Sequence, residues 1–557
     1  MSISEGYGVV YTPTQLSEFV AKILIDEYIC NKAQIKPEKS SITIVDPACG
    51  EASLLTAINK VILKKISAAQ VNLIGVDIDS EAIKRDQHLF KNNFSYQFIN
   101  LDAILPDKNA DAHSYWEKII PEISLIIANP PWSSEKIYQK SDLNDAGYVF
   151  YNGQYDSYIL FIELCLKVVS DNGYCAFIIP DSIFSGENKA IRKYLSEQTE
   201  LCIIARLGEK LFTNVNRATS VIVVKKSKPT ENSKTKCFRL NTDQRKKYLA
   251  GELDLYNIYI QSAHKVTQSR FNSNASYIFD IDTRQDEEQL LRKIELQKIN
   301  WTNLFHYGRG VEISKNGMIV TCPQCGVSQG FSKRQADQKE KACHKCGTTI
   351  LIGIDTIDKI IEDSAVPSYT KIFVGENVRR YSIVGEKHIK MNVEGINYKS
   401  PQLYAPPKIL IRKTGLGINA CIDYTSTYIS QTVYSCNFIN MNNSEPLEYY
   451  LGVLNSRLIF YYYLKVYGEN EWKSHPYITK DIIFTLPIKA IDNNNEKICL
   501  KIVKIVKKLL KSYSRELDMN LENLVAQLYG ISEKEQEMIQ QEINTLPDLS
   551  SINNMKY

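Results

Sequence analysis

Leu125-Ile126-Ile127-Ala128-Asn129-Pro130-Pro131-Trp132 is the stretch on which the fold turns. Four apolar residues in a row, too few for a helix, suit a strand buried on both faces. The two prolines that follow cannot continue a ladder and fix the backbone, so the chain is rigid where this strand ends. Outward from it the same pattern repeats. Ile42 to Asp46, Asn72 to Asp77, Ile123 to Ala128, Tyr174 to Ile179, Leu201 to Arg206 and Thr219 to Val224 read as strands, separated by amphipathic stretches. Residues 42 to 225 therefore predict an α/β domain, a parallel sheet with helices on both faces. In such a sheet ligands sit beyond the carboxyl ends of the strands, which makes the residues after each run the candidate site.

After the first run comes Asp46-Pro47-Ala48-Cys49-Gly50-Glu51-Ala52-Ser53-Leu54-Leu55, a tight turn leading into a helix. Small residues there let the backbone approach a ligand, and the helix amides can meet a carboxylate. Gly75-Val76-Asp77-Ile78-Asp79 ends the second run in an acid suited to two ribose hydroxyls. The Asn129 side-chain oxygen and a proline carbonyl can both accept hydrogen bonds from one amino group, and Trp132 offers a face to a base. Plainer readings stand beside these: turns with a solvated acid, Trp132 and Phe212 as core, Asp102 as a turn acid.

Taken in order, the segment from Tyr7 to Lys225 resembles the catalytic domain of the amino-methylating DNA methyltransferases, in the motif order called the gamma class. Tyr11-Thr12-Pro13 resembles their amino-terminal cofactor motif, and Asp46 to Leu55, with Ala48 and Gly50, their Asp-Pro-Ala-Cys-Gly loop. Asp77, followed by Ile78, matches the ribose-binding acid, and Asp102 the acid that accepts from the cofactor's adenine amine. Asn129, Pro130, Pro131 and Trp132 match the catalytic tetrapeptide, and Gly208-Glu209-Lys210-Leu211-Phe212 the segment whose aromatic stacks on the flipped base.

The resemblance implies a Rossmann-like methyltransferase domain that binds S-adenosylmethionine, with Asn129 beside both cofactor and acceptor. It also implies methyl transfer to the N6 amine of an adenine rotated out of duplex DNA, at a cost of about a few kcal/mol. Trp132 and Phe212 would offset that cost by stacking, at about 1–3 kcal/mol per base. Asn129 and the Pro130 carbonyl would draw the amine lone pair out of conjugation, so that alignment and charge placement carry the step. One departure is Ala52, where the family loop usually carries a second glycine; its methyl is expected to narrow the approach to the cofactor. Protein-glutamine or RNA amino-methylation, and a DNA-binding relative that has lost catalysis, are the alternatives.

Bulk properties agree with several soluble domains. The chain has 557 residues, 44% hydrophobic and 23% charged. It shows no apolar run of membrane-span length and no signal peptide, so a cytoplasmic location is expected. Nine of the 13 cysteines are scattered singly and read as reduced thiols. A formal charge of +4 does not by itself announce a nucleic-acid partner.

Downstream, Cys322-Pro-Gln-Cys325-Gly and Cys343-His-Lys-Cys346-Gly are two knuckles separated by 17 residues. Four thiolates so spaced close a tetrahedral zinc site, and with no open position the metal is structural; His344 is then a solvated knuckle residue. Between Trp301 and Ala420 there are 17 Lys and Arg against 10 Asp and Glu, including Lys333, Arg334, Lys339, Lys341 and Lys345 in the ribbon. That excess fits a surface tracking phosphates, or simply a solvated face, and Arg379-Arg380 and Arg412-Lys413 add to it. Glu448 to Ser456 and His475-Pro476-Tyr477-Ile478 resemble the target-recognition domains behind gamma-class catalytic domains.

The expected organisation is a methyltransferase domain at 1–228, a connector at 229–300 and an α+β target-recognition domain at 301–488. A zinc ribbon is inserted in the last at 320–350, and a helical segment follows at 489–557, with helices near Lys497 to Ser514 and Leu521 to Glu542. Double-stranded DNA is the expected partner. Because the cofactor motif begins within a dozen residues of Met1, any cleavage is expected from a separate restriction endonuclease or defence-system subunit.

Overall fold

Apolar runs with no polar alternation become the inner strands of one large sheet. In the computed structural model, which describes residues 12–32, 41–65, 71–86, 95–107, 110–132, 138–151, 156–212, 217–415, 417–440, 445–468 and 477–544, the chain divides into two compact units, Met1–Gln285 and Asp286–Tyr557.

The first unit is built on β1 (Ile42–Asp46), β2 (Val71–Asp77), β3 (Ser95–Asn100), β4 (Leu125–Ala128), β5 (Tyr174–Pro180), β6 (Glu200–Gly208), β7 (Thr219–Lys225), β8 (Lys234–Arg239) and β9 (His264–Thr267). They lie in the order β3-β2-β1-β4-β5-β7-β6-β8-β9. Helices α1 (Thr14–Lys32), α2 (Ser53–Ile62), α3 (Ser80–Asp86), α4 (Ala112–Ile119), α5 (Lys140–Asp145), α6 (Tyr158–Val168) and α7 (Lys189–Gln198) connect or flank these strands. The chain runs outward from β1 to β3 and then returns to β4, so the order reverses between β1 and β4. A crevice opens at the carboxyl ends of strands at such a reversal.

All six runs read as strands are strands, and three features differ from expectation. The sheet is mixed: β7 pairs antiparallel with both β5 and β6, and β9 antiparallel with β8. Ten residues between Gly208 and Thr219 are too few for the crossover that a parallel return needs. Next, β3 was not foreseen. Ser-Tyr-Gln-Phe-Ile-Asn lies on the sheet edge, half exposed, and carries the polar residues an edge tolerates. Finally, the stretch expected as a connector at 229–300 supplies β8 and β9 to the same sheet.

Close packing explains one glycine. A Cβ at Gly75 on β2 would lie 2.6 Å from two ring atoms of Phe98 on β3 and 3.0 Å from Cys49 Sγ. Gly75→Ala is expected to cost about 1–3 kcal/mol by overpacking, read as a drop in the denaturation midpoint at unchanged m-value. A midpoint equal to wild type would show that Phe98 moves aside freely.

The second unit holds an antiparallel sheet in which Phe305–Arg309, Val433–Phe438, Lys408–Arg412 and Ala420–Asp423 lie in that order. A smaller sheet joins Ile361–Glu362, Lys387–Ile389, Thr370–Phe373 and Tyr428–Ile429. The cysteine knuckles sit between short strands at Met318–Thr321, Ser328–Gly330, Glu340–Ala342 and Thr349–Leu351.

Its carboxyl-terminal part has three helices, Glu496–Lys511, Arg515–Tyr529 and Glu533–Asn544, where two were expected. Gly530, at φ 67°, ends the middle helix in a left-handed cap, and Ser532 opens the next by accepting from the Glu535 amide. Among the described residues no helix is long and apolar enough to cross a membrane.

Candidate active site

Four strand ends converge on one pocket. Asp46 closes β1; its buried Oδ1 accepts from the Ala48 amide at 3.1 Å, folding the loop back on itself. Gly50, at φ 50°, turns its amide onto Asp77 Oδ2 at 2.8 Å, tying the loop after β1 to the end of β2. Asp77 Oδ1 accepts from the Asp79 amide at 2.9 Å. Burial pushes both carboxyls up, that of Asp46 well above its ordinary value.

Ala52 caps the start of α2 at φ 53°, ψ 26°, and is fully buried in the hydrophobic core. It does not line the pocket, so the expected narrowing of the cofactor's approach does not arise there.

Past β3, Asp102 Oδ1 accepts from the Ile104 and Leu105 amides at 2.9 and 3.2 Å and from the Tyr138 hydroxyl at 3.1 Å. Asn129 follows β4 and donates from Nδ2 to Thr12 Oγ1 at 2.9 Å. Pro13 directly precedes α1, its carbonyl accepting from the Leu16 and Ser17 amides. The pocket wall thus brings together Thr12, Asp46, Ala48, Gly50, Asp77, Ile78, Asp102, Asn129 and Pro131 from five separate stretches of sequence. Pro13 and Pro130 stand beside it without lining it, and Tyr11 lies outside the described residues.

Trp132 and Phe212 take a different place. They are 6% and 3% exposed and meet edge to face, with ring centroids 5.2 Å apart at 82°. The Trp132 indole N–H donates to the Ile178 carbonyl at 3.4 Å. The two rings foreseen as stacking surfaces are packed on each other, and neither lines the pocket.

The sequence reading missed Tyr138, Ser157 and Phe161, which also line the pocket. A signal existed for Ser157, a capping-type residue directly before the apolar run of α6. None existed for Tyr138, whose role depends on where Asp102 lies.

Over residues 3–304 the chain matches the N-6 DNA methylase family, more than half of its 557 residues. The chain belongs to the N-6 DNA methylase family. A second match, over 370–488, is to the TaqI-like C-terminal specificity domain. The type II methyltransferase M.BanIII of Aneurinibacillus aneurinilyticus is 29% identical over 214 residues, 37% of this chain and 36% of that protein. The methylase subunit of the type I restriction enzyme MpnII from Mycoplasma pneumoniae is 28% identical over 244 residues, 40% of each chain. The alignments thus span 36% and 40% of these curated relatives.

Among solved structures, the type IIL restriction-modification enzyme MmeI in complex with DNA is similar over 98% of this chain and 80% of its own, with TM-score 0.55 and 13% identity. A nuclease-deletion mutant of the type ISP enzyme LlaGI is similar over 91% of this chain and 55% of its own, with TM-score 0.52 and 12% identity. At such identities the likeness is one of fold.

In the second unit of this N-6 DNA methylase family member, the sulfurs of Cys322, Cys325, Cys343 and Cys346 all lie within 4.8 Å of one another, with Cys322–Cys346 and Cys325–Cys343 at 3.6 Å. Four ligands at about 2.3 Å around a tetrahedral ion sit roughly 3.8 Å apart, so the cluster fits a four-thiolate zinc site. Each knuckle turns through a left-handed glycine, Gly326 at φ 73° and Gly347 at φ 76°. His344 faces Gln329 Oε1 at 2.5 Å from Nδ1 and is not part of the cluster.

Several basic residues expected on the surface are engaged elsewhere. Arg380 is buried against Asp518 and Lys408 against Asp423, while Lys341 donates to the Gly330 carbonyl. His475 and Pro476 lie outside the described residues.

Proposed function

We propose that this chain is a gamma-class DNA methyltransferase that transfers a methyl group from S-adenosylmethionine to the N6 amine of an adenine rotated out of duplex DNA. The observation that carries this reading is the convergence of the Asp46–Gly50 loop, Asp77, Asp102 and Asn129 on one pocket at the strand reversal.

In this reading Asp77 holds the ribose hydroxyls, Asp102 accepts from the adenine amine of the cofactor, and the loop amides meet its carboxylate. Thr12 lines the pocket beside Asn129, with Tyr11 and Pro13 flanking it in sequence. When bound, the cofactor supplies an electrophilic methyl on a sulfonium. Asn129 and the Pro130 carbonyl accept hydrogen bonds from the two N–H groups of the target amine and aim its lone pair; Pro131 lines the base-binding side, and Trp132 and Phe212, packed edge to face, have to part before either ring stacks on the base. The methylated amine is acidic enough to release its proton without a dedicated base.

Residues 301–488 form the target-recognition domain, with base edges read there while the catalytic domain holds the flipped adenine. Double-stranded DNA is the substrate, the cytoplasm the location, and a separate endonuclease or defence subunit the associated protein.

Labelled methyl transfer to duplex DNA, RNA and protein, followed by nucleoside analysis, tests this reading. Label on N6 of adenine in duplex DNA is the expected result. Label confined to protein or RNA would overturn it.

The four cysteines hold one structural Zn²⁺. Metal analysis of purified protein is expected to give about one zinc per chain, and Cys322→Ser to lose it together with stability of the second unit, since such sites contribute folding energy. A metal-free wild type with the same melting profile would remove zinc from the proposal.

A further inference from the structure

Two carbonyls of the Asn129-to-Trp132 tetrapeptide are held by side chains outside it. Ser157, directly before α6, donates from Oγ to the Pro131 carbonyl at 2.5 Å. Arg217, just before β7, donates from Nη1 to the Trp132 carbonyl at 3.2 Å and from Nη2 to Asp156 Oδ2 at 2.5 Å. Its guanidinium carbon lies 5.9 Å from the centre of the Trp132 ring. Asp156 and Ser157 are neighbours in sequence, so one short segment and one guanidinium close around residues 131 and 132. Neither Arg217 nor Asp156 lines the pocket.

We propose that Arg217 and Asp156, together with Ser157, form a clamp that positions Asn129 and the Pro130 carbonyl for the acceptor amine. This rests on the function proposed above, and Arg217 and Asp156, which stand outside the pocket wall, act as positioning residues. Proline rings already fix φ at residues 130 and 131. With the next two carbonyls pinned, any rotation that would swing the Pro130 carbonyl has to drag bonded groups with it. A displacement of about 1 Å at a reacting centre costs roughly 10²-fold in rate, so rigidity here bears directly on turnover.

The pairing suits arginine in particular. A planar fork can serve a carbonyl and a carboxylate at once, whereas a lysine ammonium has no fixed fork. The Asp156 side chain is 10% exposed, and its Oδ1 is buried with no hydrogen-bond partner among the described residues. Arg217 is its ion-pair partner. Removing Arg217 alone would leave a buried carboxylate without its cation, so the test includes a variant that removes both charges.

Wild type, R217A, R217K and the double variant D156N/R217A are compared in single-turnover methyl transfer to duplex DNA at saturating S-adenosylmethionine. Cofactor affinity is measured by titration, and the folded fraction by thermal unfolding. D156N/R217A is expected to bind the cofactor as wild type does and to lose about 10²-fold in rate, with R217K intermediate. Wild-type rates in the double variant would overturn the clamp, and so would a rate loss that follows the folded fraction or cofactor affinity. A wild type that methylates no duplex DNA would instead overturn the function on which the clamp rests.

Discussion

Asn129→Ala is expected to lower methyl transfer by about 10²–10³-fold, the usual effect of deleting one preorganised hydrogen-bonding group at a reacting centre. On the proposed mechanism the side-chain oxygen accepts a hydrogen bond from one of the two amine N–H groups, and alanine offers no acceptor in its place. The backbone should hold, because residue 129 is followed by two prolines and a clamped Trp132. Cofactor binding should change little by comparison. The hydrogen bond lost in this protein runs from Nδ2 to Thr12 Oγ1, a neutral pair of about 1 kcal/mol, or roughly fivefold in affinity. Single-turnover rates beside cofactor titration separate the two effects. A variant that retains wild-type turnover would remove Asn129 from the mechanism, and loss of binding and rate in equal measure would reassign it to holding the cofactor.

The largest effect on stability is expected at Arg380, far from this chemistry in sequence. Its side chain is fully buried. It donates from Nη1 to Asp518 Oδ2 at 2.7 Å and from Nε to the Asn455 carbonyl at 3.0 Å, and Nη2 lies 3.3 Å from Glu522 Oε1. Asn455 in turn bonds both the amide and the carbonyl of Ala420, so the guanidinium links the helix Arg515–Tyr529 to the central sheet of the second unit. Arg380→Ala leaves the buried Asp518 with less compensating charge and is expected to cost about 3–5 kcal/mol. Arg379→Ala, at a partly exposed neighbour, should stay within about 0.5 kcal/mol. Denaturant unfolding of both variants measures the contrast, and an Arg380→Ala midpoint equal to that of Arg379→Ala would show that Arg457, whose guanidinium lies 3.5 Å from Asp518 and 3.3 Å from Glu522, holds the two acids alone.

Those two neighbouring arginines illustrate where sequence reading stops. Arg379-Arg380 reads as one patch of surface charge, yet Arg380 is interior because residues 138 and 142 positions away supply its acids. Lys408 is likewise buried, on Asp423, so a count of basic residues between Trp301 and Ala420 overstates the charge available to a phosphate backbone. Trp132 and Phe212 show the same limit. Each stands beside a motif that resembles a base-stacking element, but their mutual burial joins segments that follow β4 and β6, two strands that do not pair.

What the sequence determined by itself was local. Runs of apolar residues fixed six strands because burial on both faces removes polar alternation, and the paired prolines, small-residue loop and strand-end acids marked the pocket through backbone stiffness and close approach. The two CxxC knuckles were legible for the same reason, since metal-ligand spacing is a local constraint. Tertiary structure alone decided the antiparallel β7, the addition of β8 and β9 to the sheet, the place of Tyr138 and Ser157 in the pocket, and the guanidiniums of Arg217 and Arg380. Each depends on partners dozens of residues away, and a side chain's charge or ring does not say in advance whether water or a distant carboxylate will satisfy it.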